Sequence, residues 1–445
     1  PCLRHVMIRP GPAENNRIGS LMDTIFALSS GAPPAGIAVV RVSGPRAADA
    51  LTALAGSLPS PRLAKLAQLR DASGDLLDTA LILWFPGPAT ATGEDLAEFH
   101  LHGGRAVVAA VESALEELPE LRRAQAGEFT RRAFTNGRID LAEAEGLGDL
   151  LTAETEMQRR AAMAAAGGAL SRRIEDWRLR LLGLSAQVEA VLDFDDEDDV
   201  SGLSEEFYRG LSDLVSDMEG ALSAPAVETL REGFRVALAG PPNAGKSTLF
   251  NALVESEAAI TAAIPGTTRD VLTKPVAIGG IPFLFVDMAG LRSKGADEIE
   301  AVGIARAHGE IERADLVLWL GPESEGPVGC LEVEAQCDRE DHLRKHDPDF
   351  RVSAMTGEGL TELKQGLMER ARSVMPRPGE FALSSRQRQM LMLAKISLDD
   401  AKRELDPLCL AELLRQTRVA FDQLIGRTST EDVLDALFGR FCIGK

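Results

Sequence analysis

Hydrophobic positions change their rhythm three times along this chain, and each change marks a different kind of structure. From Met22 to about Arg123 they come in short runs broken by Gly and Pro: Gly36-Ile-Ala-Val-Val-Arg-Val-Ser-Gly44, Thr79-Ala-Leu-Ile-Leu-Trp-Phe85 and Ala97-Glu-Phe-His-Leu101. Runs of that length, β-branched and bounded by turn formers, predict strands, and Ala106 to Glu117 predicts a helix packed with them. From Leu141 the texture turns Ala- and Leu-rich with few breakers, so Leu141 to Ala166 and Leu170 to Leu192 predict helices. Phe234-Arg-Val-Ala-Leu-Ala-Gly240 then opens an alternation of strands and helices that Pro376-Arg-Pro378 closes, and helical text resumes at Ser384.

This pattern predicts a multidomain protein. Residues 22–140 form an α+β amino-terminal domain, and 233–375 form an α/β domain inserted into a helical domain. The helical domain is threaded through both flanks, 141–232 and 376–445. No repeat of fixed period runs through the chain. Pro1 to Leu21 lacks the apolar core of a signal peptide and reads as an arm, either disordered or ahead of a natural start at Met22.

Composition narrows the class. Of the 445 residues 45% are hydrophobic and 26% charged, and no stretch approaches the ~20 apolar residues that span a bilayer. A soluble cytoplasmic protein with no membrane partner is expected. The five cysteines, Cys2, Cys330, Cys337, Cys409 and Cys442, are odd in number and form no Cys-x-x-Cys pair, which fits a reducing compartment and argues against a zinc site. Asp193-Phe-Asp-Asp-Glu-Asp-Asp199 reads as a solvated acidic loop, since nothing fixes its geometry for a metal. The formal charge of −20 counts against unaided binding of nucleic acid, which needs a basic face to displace phosphate counterions.

The chemistry begins at Gly240-Pro-Pro-Asn-Ala-Gly-Lys-Ser247, which satisfies G-x-x-x-x-G-K-[ST] between an apolar strand and the helical text Thr248-Leu-Phe-Asn-Ala-Leu253. Backbone N–H groups of Asn243, Ala244, Gly245 and Thr248 suit phosphates, Lys246 neutralises β and γ charge, and the Ser247 hydroxyl binds Mg²⁺. Thr268, in Gly266-Thr-Thr-Arg-Asp270, completes the Mg²⁺ shell. Asp287 in Asp287-Met-Ala-Gly290 holds Mg²⁺ through water, and the Gly290 N–H meets the γ-phosphate. That order of motifs indicates a switch GTPase of Ras-like fold.

Two departures stand out. An Asn-Lys-x-Asp segment is expected after Asp315-Leu-Val-Leu-Trp-Leu320, yet the best candidate is Ala335-Gln-Cys-Asp338. Asp338 keeps the carboxylate that accepts two hydrogen bonds from guanine, and Ser353-Ala354 stands where a turn contacts the guanine carbonyl. The bracing Asn and the base-covering Lys are absent, so weaker nucleotide binding is expected. Leu291 stands in place of the Gln that orients water in Ras-like enzymes.

Three further segments carry a resemblance. Gly127-Glu-Phe-Thr-Arg-Arg-Ala-Phe-Thr-Asn-Gly-Arg-Ile-Asp-Leu141, Asp23-Thr-Ile25 with Arg41-Val-Ser-Gly44, and Phe441-Cys-Ile-Gly-Lys445 are similar to segments of the MnmE family of bacterial tRNA-modifying GTPases. The resemblance covers Met22 to Lys445. It implies a K⁺ held by Asn243, Thr267 and the carbonyls of Ala262 and Ile264, and a water-orienting acid at Glu300, with Glu298 the alternative register. It implies a methylene- or formyl-tetrahydrofolate site at Arg41, Glu98, Arg138 and Lys445, residue types that suit a pterin edge and glutamyl carboxylates. It also implies a homodimer that forms a heterotetramer with the flavoprotein MnmG, which carries the FAD. Together they install an aminomethyl or carboxymethylaminomethyl group on C5 of a tRNA wobble uridine. Two rivals from other classes are an RNA- or ribosome-binding regulatory GTPase and a folate enzyme with a degenerate G domain. The acidic charge and the lack of a KH-type Gly-x-x-Gly loop weigh against the first, and the intact phosphate loop against the second.

Overall fold

A computed structural model describes residues 23–193, 203–224, 226–255, 258–259, 272–288, 309–376, 382–428 and 430–444. The chain divides into two units, Pro1–Ile139 with Thr430–Lys445, and Asp140–Ser429.

In the first unit the short apolar runs become one sheet. β1 (Thr24–Leu28), β2 (Ile37–Ser43), β3 (Lys65–Arg70), β4 (Leu76–Phe85), β5 (Leu96–His102) and β6 (Leu121–Arg123) lie in the order β3-β4-β5-β2-β1-β6. All pairs are antiparallel except β1 with β6. Successive side chains alternate between faces, so Ala38, Val40 and Val42 share one face with Ala97, Phe99 and Leu101. There α1 (Ala47–Ala55) and α2 (Arg105–Glu116) cover them with Leu51, Val108 and Val111. The other positions, including Arg41, Glu98, His100, Leu81 and Leu66, fall on the opposite face. Leu66 is 66% exposed and Leu81 45%.

Among the described residues, that second face is packed at its β1 end, where Phe129 of α3 (Glu128–Thr135) meets Ile25 and Ala27. The helix Glu431–Phe438 joins it from the far end of the chain. The rings of Phe134 and Phe438 lie 6.0 Å apart, and Arg131 pairs with both Glu431 and Asp435. Gly127 permits this approach. Its φ is 69°, and a Cβ there would fall 2.2 Å from the Phe438 carbonyl oxygen.

The second unit opens with α4 (Leu141–Thr152) and α5 (Glu156–Ala166). The predicted single helix from Leu141 to Ala166 is thus two, because Thr155 accepts from the Gln158 N–H and Gln158 answers its backbone, a capping box that starts a new helix. α6 (Ala169–Asp193), α7 (Glu205–Leu222) and α8 (Val227–Glu232) follow. The inserted sheet comes next: β7 (Phe234–Ala239), β8 (Ala258–Ala259), β9 (Leu272–Ile278), β10 (Ile281–Asp287), β11 (Leu316–Trp319), β12 (Leu331–Ala335) and β13 (Phe350–Val352). Its order is β13-β12-β11-β7-β10-β9-β8. Five strands run parallel, while β9 and β8 add an antiparallel edge. α9 (Lys246–Glu255) and α10 (Leu360–Val374) close its main core with Phe250, Leu253, Leu363 and Leu367.

After the insert, α11 (Ser385–Ala401) and α12 (Pro407–Leu424) rejoin α6 and α7 in one core. Trp177 and Phe421 stack at 5.9 Å across the two flanks. Truncating a fully buried Trp typically costs about 3–5 kcal/mol, so Trp177 is a principal tie between the flanks. No described helix is long and apolar enough to cross a membrane.

Candidate functional site

The loops after β7, β10, β12 and β13 all leave the carboxyl ends of parallel strands, the edge where open α/β sheets gather ligands. After β7 the phosphate loop bends through Gly240 (φ 145°), Asn243 (φ 62°) and Gly245 (φ 90°). A Cβ on Gly240 would stand 3.0 Å from the Gly321 N, so this turn packs against the end of β11. Lys246 is buried and donates to the carbonyls of Gly240 (3.0 Å) and Pro241 (2.7 Å), which keeps its ammonium inside the loop. Ser247 donates to Asp287 Oδ2 at 2.8 Å. Sequence reasoning paired these two around Mg²⁺, and the structure brings them together as a hydroxyl and a buried carboxylate, the hard oxygen set that magnesium prefers.

The base-reading side is joined by backbone. Cys337 N–H donates to the Val352 carbonyl at 3.3 Å, which sets Ala335–Asp338 beside Ser353–Ala354. Ser353 is fully buried and its hydroxyl accepts from Thr356 N–H, so it shapes its own turn. Asp338 is exposed. The chain after it folds back: His342 Nε2 lies 2.9 Å from Glu334 Oε1, and Lys345 donates to the Trp319 carbonyl and to Glu332. Burial pushes the Glu334 carboxyl up, but the hydrogen bonds from His342 and the Lys345 N–H and the charge of Arg351 outweigh it and hold the group below the usual range. The Glu334 hydrogen bond in turn raises the His342 pKa. Sequence reasoning passed over this anchor.

The remaining candidates of the nucleotide site, Thr267, Thr268, Gly290, Ala262, Ile264 and Glu300 with its alternative Glu298, lie outside the described residues. A cavity of about 230 Å³ lies elsewhere in this unit, between α4, α5, α8 and β10, lined by Asp149, Gln158, Arg231 and Phe283 among others and by none of the nucleotide-site candidates.

In the first unit the register Arg41↔Glu98 places two predicted folate residues opposite each other. Arg41 donates through Nε (3.1 Å) and Nη2 (2.9 Å) to one Glu98 oxygen, while His100 Nε2 stands 3.0 Å from the other. Burial raises the Glu98 pKa, but His100 and Arg41 together hold it below the ordinary value. His100 was not singled out from sequence, although its place two residues along the same strand is the available signal. Arg138 makes a different contact, donating through Nε to the Thr90 carbonyl (3.2 Å) in the loop between β4 and β5. Lys445 lies outside the described residues. Also unread from sequence is a buried charge network in which Arg132 bonds Asp23, Glu94 and Glu128. It explains how Glu128 and Arg132, two charged residues of the Gly127 to Leu141 segment, come to be buried. Among the described residues no cluster of His, Cys, Asp and Glu forms a metal site.

With this geometry in place, the likeness to known proteins is specific. The profile of the TrmE N-terminus matches residues 24–138, and that of the MnmE helical domain matches 141–442, more than half of the chain. A Novosphingobium aromaticivorans protein named tRNA modification GTPase MnmE is 60% identical over 437 residues, covering 96% of this chain and 100% of its own. The chain belongs to the MnmE family of tRNA modification GTPases. Relatives of the same name from Erythrobacter litoralis and Rhizorhabdus wittichii are 58% and 56% identical, covering 95% and 98% of this chain and 100% of their own lengths. MnmE membership fixes the class as a P-loop GTPase, with Mg²⁺ and a guanine nucleotide as its ligands. Ser247 and Asp287 fit that metal, which supplies charge for the phosphates when bound.

Proposed function

We propose that the chain hydrolyses GTP and, through that cycle, drives a tRNA-modifying reaction housed in its amino-terminal unit. The observation that carries this reading is the Ser247–Asp287 pair beneath the phosphate loop, in a chain of which 96% is matched by a tRNA modification GTPase MnmE. Lys246 draws the β and γ phosphates, and Gly245 and Thr248 offer N–H groups. Ser247 and Thr268 hold Mg²⁺. Asn243 sits in the left-handed conformation that Asn tolerates, at a place where its side-chain oxygen serves K⁺ together with Ala262, Ile264 and Thr267. Glu300 orients the attacking water in place of the missing Gln.

In the first unit Arg41 and Glu98 bind the polar edge of a reduced folate, methylene- or formyl-tetrahydrofolate, with Arg138 and Lys445 meeting its carboxylates. The support is the ionised, two-sided setting of Glu98. The exposure of Leu66 and Leu81 on one face of the first sheet supports a homodimer there. The flavoprotein MnmG joins as a heterotetramer and carries the FAD, and together they modify C5 of the tRNA wobble uridine. The chain's −20 charge leaves most of the tRNA grip to that partner. Within the second unit a relay from nucleotide to helices is available. The Gly280 carbonyl, at the turn into β10, accepts from the Met157 N–H of α5, and Gln158 donates to the Leu230 carbonyl.

GTP turnover by the purified protein in K⁺ and in Na⁺ tests the hydrolytic half. A rate at least tenfold higher in K⁺ is expected, about 1.4 kcal/mol of transition-state stabilisation. Equal rates remove the ion from the mechanism. Glu300→Ala should lower kcat with little change in nucleotide binding. If Glu298→Ala does so instead, the water-orienting acid is Glu298.

A further inference from the structure

The base-reading segment of this chain lacks the Asn and Lys that brace and cover a guanine site, and Ala335, the last residue of β12, packs its methyl group against the core of the inserted sheet and offers no polar group. The next residue is placed differently. Gln336 takes φ 59°, a left-handed conformation that costs a non-glycine residue on the order of 1 kcal/mol, and this aims its side chain back across the sheet edge. There the amide nitrogen stands 3.4 Å from the carbonyl oxygen of Asn243, 93 residues earlier, in the phosphate loop. The stem follows the same path. A Cβ on Gly245 would lie 3.1 Å from Gln336 Nε2, 3.2 Å from Cγ and 3.4 Å from Cδ, so the whole side chain lies flat on that glycine. Gln336 also anchors its own turn, since its carbonyl accepts from Arg339 N–H at 2.9 Å.

We propose that Gln336 is a positioning residue, a latch that takes over the work of the absent Asn-Lys pair by tying the guanine-reading turn to the phosphate loop. The inference rests on the reading of Asp338 as the guanine reader and of Gly240–Ser247 as the phosphate cradle. Asp338 is two residues past the latch, and the Cys337 N–H bond to Val352 lies between them. With Gln336 docked, the carboxylate that reads the base and the amides that hold the phosphates form one body, so a nucleotide meets both at their working separation. With it released, the turn loses its tie to the phosphate loop and keeps the Cys337 bond to Val352 and the His342–Glu334 contact behind it. A neutral amide does this without the charge that a Lys would bring. The latch therefore governs capture and retention of nucleotide, whereas the γ-phosphate chemistry is served by other groups.

The test uses the full-length protein, with a fluorescent GDP analogue for affinity and dissociation and GTP turnover for kcat and KM. Wild-type binding of guanine over adenine nucleotide checks the underlying reading by itself. Gln336→Ala should weaken GDP binding by about fivefold to tenfold, the worth of one neutral hydrogen bond with its packing. The loss should appear as faster dissociation and higher KM, with kcat retained. Gln336→Met keeps the stem on Gly245 and removes the donor, so it should fall between wild type and Gln336→Ala. Gln336→Lys restores a donor and should rescue affinity. Wild-type KM and GDP dissociation in Gln336→Ala, or failure of Gln336→Lys to rescue while the thermal midpoint is unchanged, would overturn the latch even where guanine selectivity stands.

Discussion

At the proposed nucleotide edge, loops leave the carboxyl ends of parallel strands, and the candidate phosphate cradle is a run of consecutive residues, Gly240–Ser247. On the second sheet face of the first unit, Arg41, Glu98 and His100 stand instead along antiparallel strands, and the proposed folate site is a cluster of side chains. The contrast sets how each tolerates change. A backbone cradle depends on a few residues that permit its turns, such as Gly240 and Gly245, and on one cation, Lys246. A side-chain cluster depends on cross-strand register, and on neighbours that fix which group is charged.

If the edge site reads its ligand through one exposed carboxylate, changing that carboxylate should redirect it. Asp338→Asn is expected to weaken GTP by about a hundredfold, the loss of two hydrogen bonds to a charged acceptor, and to raise relative affinity for XTP, whose C2 carbonyl accepts from the new amide. Competition among GTP, ATP and XTP measures both. A variant that still prefers GTP removes Asp338 as reader and with it the idea that backbone holds phosphate while a single side chain chooses the base.

The side-chain cluster should respond more weakly and in a different ligand. Glu98→Gln keeps size and removes the charge that Arg41 and His100 both address, so affinity for formyl-tetrahydrofolate should drop by about tenfold. Titration calorimetry reads it, with Asp338→Asn as the comparison that should keep folate affinity. Protein lacking Cys442 to Lys445 should also bind folate less tightly, because the tail supplies one charged contact in the proposed site. Unchanged binding in Glu98→Gln would mean that the triad is a structural ion pair on an otherwise unused face.

The same contrast decides what could be read from the sequence. Gly240 to Ser247 was legible because its motif lies in consecutive residues between a strand and a helix, and in the structure Ser247 donates to Asp287. Arg41 and Glu98 are 57 positions apart and meet only through strand register, so neither stands out locally; the resemblance supplied them, and the pairing Arg41↔Glu98 supplies their geometry. Gln336 was read as a deficit because the motif was judged by residue identity. Its reach to Asn243 depends on a left-handed backbone that no spacing reveals. The division between α4 and α5 was available in Thr155-x-x-Gln158, a capping signal hidden by the surrounding alanines. The docking of Glu431–Phe438 on α3 had no local sign, since it needs Gly127 to open space for Phe438.

The smallest expected effect concerns the anchor behind the nucleotide edge, and pH separates it from the first unit. The His342 side chain is 8% exposed, meets Glu334, and also has the Arg339 carbonyl at its other ring nitrogen. Arg344 opposes its charge, while Arg351 and the Lys345 N–H share Glu334 with it. The His342 pKa is raised from its ordinary 6.5, so the folded state holds a proton that the unfolded chain gives up first. Its stabilising contribution is complete below pH 6.5 and fades as pH rises through the folded value. Glu334, lowered from its ordinary 4.5, contributes above that value and loses its contribution as pH falls through the lower folded one. Between the two the anchor is intact. The thermal midpoint of the second unit and the affinity for GDP should therefore both decline modestly from pH 6.5 upward, and His342→Gln should flatten that decline while leaving the folate response of the first unit as it was. A slope identical in wild type and His342→Gln would show that the anchor does not titrate, and that Asp338 is held by the Cys337 and Gln336 contacts alone.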